Sequence, residues 1–307
     1  MCSEVEARRP LIVAVKRGSL ADGPGIRTVV FFKGCPLRCV FCHNPETQQP
    51  EPEILFAEEH CLRCGACVRS CPRGAIDLGS PFRIDRGRCD GCGLCVTACP
   101  GPALRLVGRY WTAEELAELL SRDAPFYRHS GGGVTLSGGE CTLFPDYLEA
   151  LLRLLKGRGI HVALQTSGEF DYEAFAAKIL PWLDLVFFDV KLIDRHLSLR
   201  YLGRPNDRIL NNLRRLLAQG STQVRPRIPL IPGLTDSREN LTAIVDYLRR
   251  CGAADVSLLP YNPLGLEIYT RLGRATPDLP PAFPTPEAER RLVNAFREIL
   301  AAGAAAP

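Results

Sequence analysis

Apolar positions along this 307-residue chain fall into two alternating patterns. Short apolar runs predict strands at Thr28–Phe32, Val134–Ser137, Ile160–Gln165, Asp184–Val190, Thr222–Ile228 and Asp255–Leu259. Helical spacing lies between them. Leu148, Leu151, Leu152 and Leu155 recur at i, i+3, i+4 and i+7, the stripe of an amphipathic helix. Thr112-Ala-Glu-Glu115 is a capping box that opens a helix to about Arg122. Further helices are predicted over Tyr172–Leu180, Asp207–Gln219 and Ser237–Arg250. A last one opens at Thr285, with Pro286 at its first position, and runs to about Ala301. Apolar strands alternating with helices imply an α/β fold with a parallel sheet and right-handed crossovers. Six such units are too few to close an eight-stranded barrel, so an open, partial (β/α)6 barrel of the TIM type is expected. Residues 55–105 alone lack the βα period. They read as an insert in the first β–α connection, which leaves 1–54 and 106–307 as the barrel.

Cysteine spacing gives these segments their chemistry. Cys35, Cys39 and Cys42 form a C-x3-C-x2-C run directly after the first strand. Three thiolates hold three irons of a [4Fe–4S] cube and leave the fourth open, and an open position marks a catalytic rather than a structural metal site. A zinc knuckle completed by His43 is the alternative, although zinc sites more often use two separated C-x2-C pairs. Inside the insert, Cys61, Cys64, Cys67 and Cys71 precede Pro72, and Cys89, Cys92, Cys95 and Cys99 precede Pro100. This duplicated spacing matches the bacterial two-cluster ferredoxin run, in which the fourth cysteine of each set serves the other cluster. One cluster would then take Cys61, Cys64, Cys67 and Cys99, and the other Cys89, Cys92, Cys95 and Cys71. The insert is therefore expected to be a ferredoxin-like domain with two [4Fe–4S] clusters.

In parallel α/β barrels the chemistry sits at the C-terminal strand ends, and the notable residues fall there. Ser137-Gly138-Gly139-Glu140 ends the second strand, with glycines that permit close backbone approach and a carboxylate suited to an ammonium group. Gln165-Thr-Ser-Gly168 ends the third strand, Asp189-Val190-Lys191 the fourth, and Pro260-Tyr261-Asn262 the sixth. Arg227, at the end of the fifth, suits a carboxylate clamp.

Fourteen cysteines would suggest disulfides in a short secreted chain, but the first residues lack a signal-peptide pattern, and Leu11–Val15 is too short an apolar stretch. No apolar run is long enough to span a bilayer. The expected setting is cytoplasmic, reducing and anaerobic, since exposed iron–sulfur clusters are oxidatively fragile. The formal charge of +4 belongs to the metal-free chain. Eleven ligating thiolates and three oxidised cube cores would bring it to about −1, which removes the case for a nucleic-acid or anionic-membrane partner. Cys2, Cys141 and Cys251 need no role beyond that of small hydrophobes or free thiols.

The chain resembles the radical S-adenosylmethionine (radical SAM) superfamily, and within it the glycyl radical enzyme activating enzymes. The resemblance covers about residues 12–275. It rests on Ser19-Leu-Ala-Asp-Gly-Pro-Gly-Ile-Arg27, the Cys-Pro-Leu-Arg-Cys-Val-Phe-Cys-His-Asn-Pro-Glu run, Ser130 to Glu140, Asp189-Val-Lys191 and Arg227 to Gly233. It implies that the open cluster reduces S-adenosylmethionine (SAM), and that the resulting 5′-deoxyadenosyl radical removes hydrogen from a glycine of a partner glycyl radical enzyme. A flavodoxin or ferredoxin is implied as electron donor, and a monomer as the working form. By resemblance Phe41 and His43 line the adenine side, while Gly138, Gly139 and Glu140 bind the SAM amino group. Asp189, Val190 and Lys191 contact ribose or methionine, with Arg227 and Asn262 nearby, and Asp22, Gly23 and Arg27 meet the partner's glycine-bearing peptide. Gln165 stands where many members carry an acid that helps Asp189 hold a monovalent cation, and Asn262 where many carry a histidine. A radical SAM enzyme with auxiliary clusters that modifies another peptide or a small molecule is the alternative reading.

Overall fold

The computed structural model describes residues 9–253 and 255–302. Cys2 lies outside them. Among the described residues ten strands occur in chain order: β1 Leu11–Ser19, β2 Arg27–Phe32, β3 Glu53–Phe56, β4 Leu104–Val107, β5 Arg109–Tyr110, β6 Gly133–Gly138, β7 His161–Thr166, β8 Leu185–Asp189, β9 Gln223–Pro229 and β10 Ser257–Leu259. The helices are α1 Ala66–Ser70, α2 Leu94–Ala98, α3 Ala113–Ser121, α4 Ala124–Ser130, α5 Pro145–Gly157 and α6 Tyr172–Lys178. They continue with α7 Arg195–Leu202, α8 Asp207–Gln219, α9 Arg238–Arg250, α10 Gly265–Arg271 and α11 Pro286–Ala302.

The main sheet runs β10-β9-β8-β7-β6-β2-β1-β5. The six strands from β10 to β2 are parallel throughout, as expected. β1 and β5 extend the β2 side in antiparallel sense, so the sheet stays open with eight strands, where six were expected. β1 escapes the sequence pattern because only its first residues are apolar; Lys16, Arg17 and Gly18 face solvent.

Buried strands and one-faced helices make the core. β6 is buried from Gly133 to Ser137, with Val134 and Leu136 in the main core. The four leucines of the α5 stripe are fully buried against the sheet. The Thr112 capping box forms as read: the Glu115 amide donates to Thr112 Oγ1 at 3.1 Å and the Thr112 amide to Glu115 Oε2 at 2.9 Å. Asp171, Asp194 and Ser237 cap α6, α7 and α9, each side chain accepting from the amide three residues on. Among the described residues no helix is long and apolar enough to cross a membrane.

Residues 53–107 begin and end in a separate two-stranded antiparallel sheet, β3 with β4, in which Glu53 pairs with Val107 and Phe56 with Leu104. This segment has its own small core of Ile54, Phe56, Ile76, Ile84, Ala103 and Leu104, edged by cysteines.

Candidate active site at the strand ends

The loop that follows β2 carries Cys35, Cys39 and Cys42, and three elements clamp it. From the sheet side, the Gly34 carbonyl accepts from the Glu140 amide at 2.8 Å, and the Gly34 amide donates to Thr47 O at 2.7 Å. This contact needs glycine in the β6 turn. A Cβ on Gly139 would stand 2.1 Å from Gly34 O, and one on Gly138 would stand 2.3 Å from the Phe32 amide nitrogen. From the α7 side, the Arg38 and Val40 amides donate to Leu202 O and Tyr201 O at 2.8 and 2.9 Å. From the third side, α10 presses Gly265 against the His43 backbone.

The three thiols are close enough to act on one another. Burial, then Glu140 and Cys39, push the Cys35 thiol up to about 12. Burial raises Cys39, which Lys191 opposes, and burial followed by Cys39 raises Cys42. Thiolate ligands must shed these protons, so metal loading releases them. Among the described residues no cysteine is in a disulfide.

Glu140 is fully buried and its carboxylate is spent inside the fold. It accepts from Thr142 Oγ1 at 2.8 Å, from Thr166 Oγ1 at 2.9 Å, and from the Ser167 amide and hydroxyl at 2.8 and 2.6 Å. Burial pushes its carboxyl up while the Ser167 and Thr142 hydroxyls pull it back. Glu140 therefore locks the β6 and β7 ends together; the free carboxylate expected for an ammonium group is not what the fold presents.

Asp189 and Arg227 face each other across β8 and β9, in register. Arg227 Nη2 and Nε lie 2.7 and 2.9 Å from Asp189 Oδ1, and Lys191 Nζ lies 3.3 Å from Oδ2. The Arg227 guanidinium also stacks on Phe187, 4.8 Å from the ring centroid. Burial works to raise the Asp189 carboxyl, but Arg227 and then Lys191 hold it below its ordinary value. Burial opposes the Lys191 charge, but Asp189 and then Cys39 keep the ammonium above its ordinary value. Val190 is buried between the two charged residues.

Gln165 does not join Asp189. Its Oε1 accepts from Ser137 Oγ at 2.7 Å and its Nε2 donates to Asp22 Oδ1 at 3.0 Å. With Asp189 taken up by Arg227 and Lys191, neither residue is available to a monovalent cation, so the donor set does not fit the expected ion. The same bond ties the Asp22-Gly23-Pro24 loop to the sheet, where Thr135 Oγ1 also donates to Asp22 O at 2.8 Å. Arg27 corrects the expectation of a partner contact. It is fully buried beneath the loop, donates to Thr135 Oγ1 at 2.6 Å and Pro24 O at 3.2 Å, and is lowered by burial to about 10. Phe41 is buried in the main core, whereas His43 is exposed. Asn262 is also exposed, and its Oδ1 accepts from the Leu264 amide at 3.0 Å in the turn before α10.

In the insert, Gly65 and Gly93 take left-handed backbone ahead of α1 and α2, which makes two matching turns. One hollow is lined by Cys61, Cys64, Cys67 and Cys99, and a second by Cys71, Cys89, Cys92 and Cys95. These are the crossed sets read from the spacing, and eight thiolate donors in two groups of four fit two iron–sulfur cubes. Burial, then Cys89 and Cys71, push the Cys95 thiol up to about 11. Among the described residues, no three His, Cys, Asp or Glu side chains converge on the point of a single metal ion. Sequence reasoning missed Lys33, a fully buried cation two residues before Cys35, and Tyr269, a buried tyrosine of α10.

Comparison with known proteins places these features in a family. A radical SAM superfamily model matches residues 86–244, a 4Fe-4S dicluster domain residues 60–103 and a 4Fe-4S single cluster domain residues 21–72. The chain is 43% identical over 274 residues to the benzylsuccinate synthase activating enzyme of Thauera aromatica, covering 87% of this chain and 82% of that one. It is 40% identical over 267 residues to the trans-4-hydroxy-L-proline dehydratase activating enzyme of Clostridioides difficile, covering 86% and 88%. A solved radical SAM methyltransferase from Sphaerobacter thermophilus has a TM-score of 0.51 at 16% identity, over 95% of this chain and 75% of that one, a likeness of fold alone.

Proposed function

We propose a division of labour for this chain, which belongs to the radical SAM superfamily and, within it, to the glycyl radical enzyme activating enzymes. Cys35, Cys39 and Cys42 hold a [4Fe–4S] cluster with one iron left open. When bound, that cluster supplies the single electron for reductive cleavage of SAM, which leads to removal of a hydrogen from a glycine of a partner glycyl radical enzyme. The observation that carries this reading is the three-cysteine loop at the C-terminal sheet edge, facing the Asp189, Lys191 and Arg227 charges.

The chain's own residues position SAM. Arg227 keeps N–H groups beyond those given to Asp189 and grips the methionine carboxylate. Lys191 offsets thiolate charge at Cys39 and Cys35. Glu140 holds the Gly138-Gly139 turn rigid, and the turn offers its backbone to SAM. Phe41 and Val190 close the apolar floor, and His43 and Asn262 sit at the rim. Asp22 and Gly23 meet the partner's peptide; Arg27 and Gln165 hold their loop from beneath.

Residues 55–105 form a ferredoxin-like domain on the barrel of 1–54 and 106–307, with one cluster on Cys61, Cys64, Cys67 and Cys99 and another on Cys89, Cys92, Cys95 and Cys71. Cysteine ligates every iron there, so these clusters relay electrons inward from a flavodoxin or ferredoxin and leave substrate chemistry to the open site, in a monomeric, cytoplasmic protein. Cys39→Ser tests the central assignment. The variant should make no 5′-deoxyadenosine from SAM while retaining roughly two-thirds of the iron; undiminished 5′-deoxyadenosine would overturn it.

A further inference from the structure

Successive side chains of β8 point to opposite faces of the sheet. Val186 and Phe188 enter the main core, whereas Leu185 and Phe187 turn the other way and pack with Ala163 of β7 in a small cluster of their own. Asp189, two residues past Phe187, continues that second face at the strand end, opposite Arg227 of β9. Phe187 is buried, and the Arg227 guanidinium carbon stands over its ring, 4.8 Å from the centroid. The ring is itself confined. Gln165 lies opposite Phe187 on β7, and the Asp22-Gly23 loop closes on the ring edge, where a Cβ on Gly23 would stand 3.4 Å from Cε2.

Arg227 needs such a support. Its Nε and Nη2 both reach a single oxygen, Oδ1 of Asp189, while Lys191 takes Oδ2. A fork held on two oxygens fixes a guanidinium in its plane; two bonds to one oxygen let that plane tilt about the shared atom. An aromatic face beneath the cation limits the tilt, because arginine is attracted to it both as a charge and as a flat group. We propose that Phe187 is a positioning residue: its ring sets the plane of the Arg227 guanidinium, so that the N–H groups left over from Asp189 meet the methionine carboxylate of SAM. A leucine in its place would still pack on Leu185 and Ala163 but would offer the cation no face. The inference rests on Arg227 gripping that carboxylate.

The experiment uses the full, cluster-loaded chain under anaerobic conditions. Calorimetry gives SAM affinity for the unsubstituted chain, Phe187→Leu, Arg227→Ala and the double variant. Phe187→Leu should weaken SAM binding about three- to tenfold. In the Arg227→Ala background the same change should cost less than about twofold, because a ring that acts only through the guanidinium then has nothing to orient. Equal losses in the two backgrounds mark general packing and refute the proposal, as does unchanged affinity in Phe187→Leu. If Arg227→Ala binds SAM as tightly as the unsubstituted chain, the clamp itself fails and the role of Phe187 falls with it. Should Phe187→Leu lose iron, replacing Phe187 by 3,4,5-trifluorophenylalanine takes its place in the cycle. That residue keeps nearly the same shape but attracts a cation less, and undiminished SAM affinity there also refutes the proposal.

Discussion

Glu53→Gln should be among the most damaging single changes outside the cysteines. Glu53 opens the insert and is held by two cations of the barrel. Lys33 Nζ lies 2.7 Å from its Oε2, and Arg274 Nη2 lies 2.6 Å from its Oε1. The Lys33 side chain has no exposure at all, and its other partner is the Glu46 carbonyl at 2.6 Å. Removing one member of a buried pair leaves an uncompensated charge, which costs about 3–5 kcal/mol. With an unfolding entropy of about 2.1 cal/mol/K per residue, the 307-residue chain should lose about 5–8 °C in Tm if it melts as one unit. The pH dependence is a second signature. Burial already holds Lys33 below its ordinary value, and Glu53 partly opposes this. Between the folded and unfolded values the unfolded chain binds more protons, so stability rises with pH. Removing Glu53 lowers the folded value further and extends that window downward. The deficit should therefore be largest near neutral pH and shrink as the pH rises toward the ordinary lysine value and Lys33 becomes neutral. Anaerobic thermal melts of Glu53→Gln across that range provide the test. The double variant Lys33→Met with Glu53→Gln should regain most of the loss, because a buried ion pair replaced by apolar packing is often neutral. A loss below about 2 °C, or one constant across that pH range, would refute the reasoning.

Arg227→Ala should weaken SAM binding about tenfold or more, since a charge-assisted contact contributes roughly 1.5–3 kcal/mol. Calorimetry on protein with its open cluster intact reads this, and unchanged affinity excludes the clamp. Cys39→Ser should stop SAM cleavage and keep roughly two-thirds of the iron, by product and metal assay.

The parallel sheet was legible because most of its strands carry an apolar run and a helix follows each one. β8 is buried up to its last residue, and its first four residues, Leu185 to Phe188, are all apolar. What stayed hidden is amphipathic at too short a range. β1 turns polar after five residues, α4 carries a proline near its start, and α10 opens with glycine; each reads as loop until the tertiary contacts are known. The cysteine sets were legible because their spacing is regular and repeated. The partners of polar side chains were not, because no spacing rule links Lys33 to Glu53 or Arg27 to Thr135. Glu140 and Arg27 show the consequence. Motif position brought both to the strand ends, but burial decides that each serves its own chain first.

The insert bears on the cysteine loop through mechanical contacts as well as through any electrons it carries. Lys33 stands two residues before Cys35 and pins Glu53, while α10 touches β3 on one face and His43 on another. A defect in the insert can therefore disturb SAM binding with no electron transfer involved. Replacing Cys64 and Cys92 together by serine separates the two effects. Both residues are exposed, so their replacement leaves the core of Ile54, Phe56, Ile84 and Leu104 in place. A relay predicts unchanged SAM affinity at the open cluster and slower glycyl radical formation from a flavodoxin or ferredoxin donor. A brace predicts weakened SAM binding and a lower Tm in the same protein. Full radical yield in a variant shown to lack both clusters would eliminate the relay and leave the insert as a docking or bracing element.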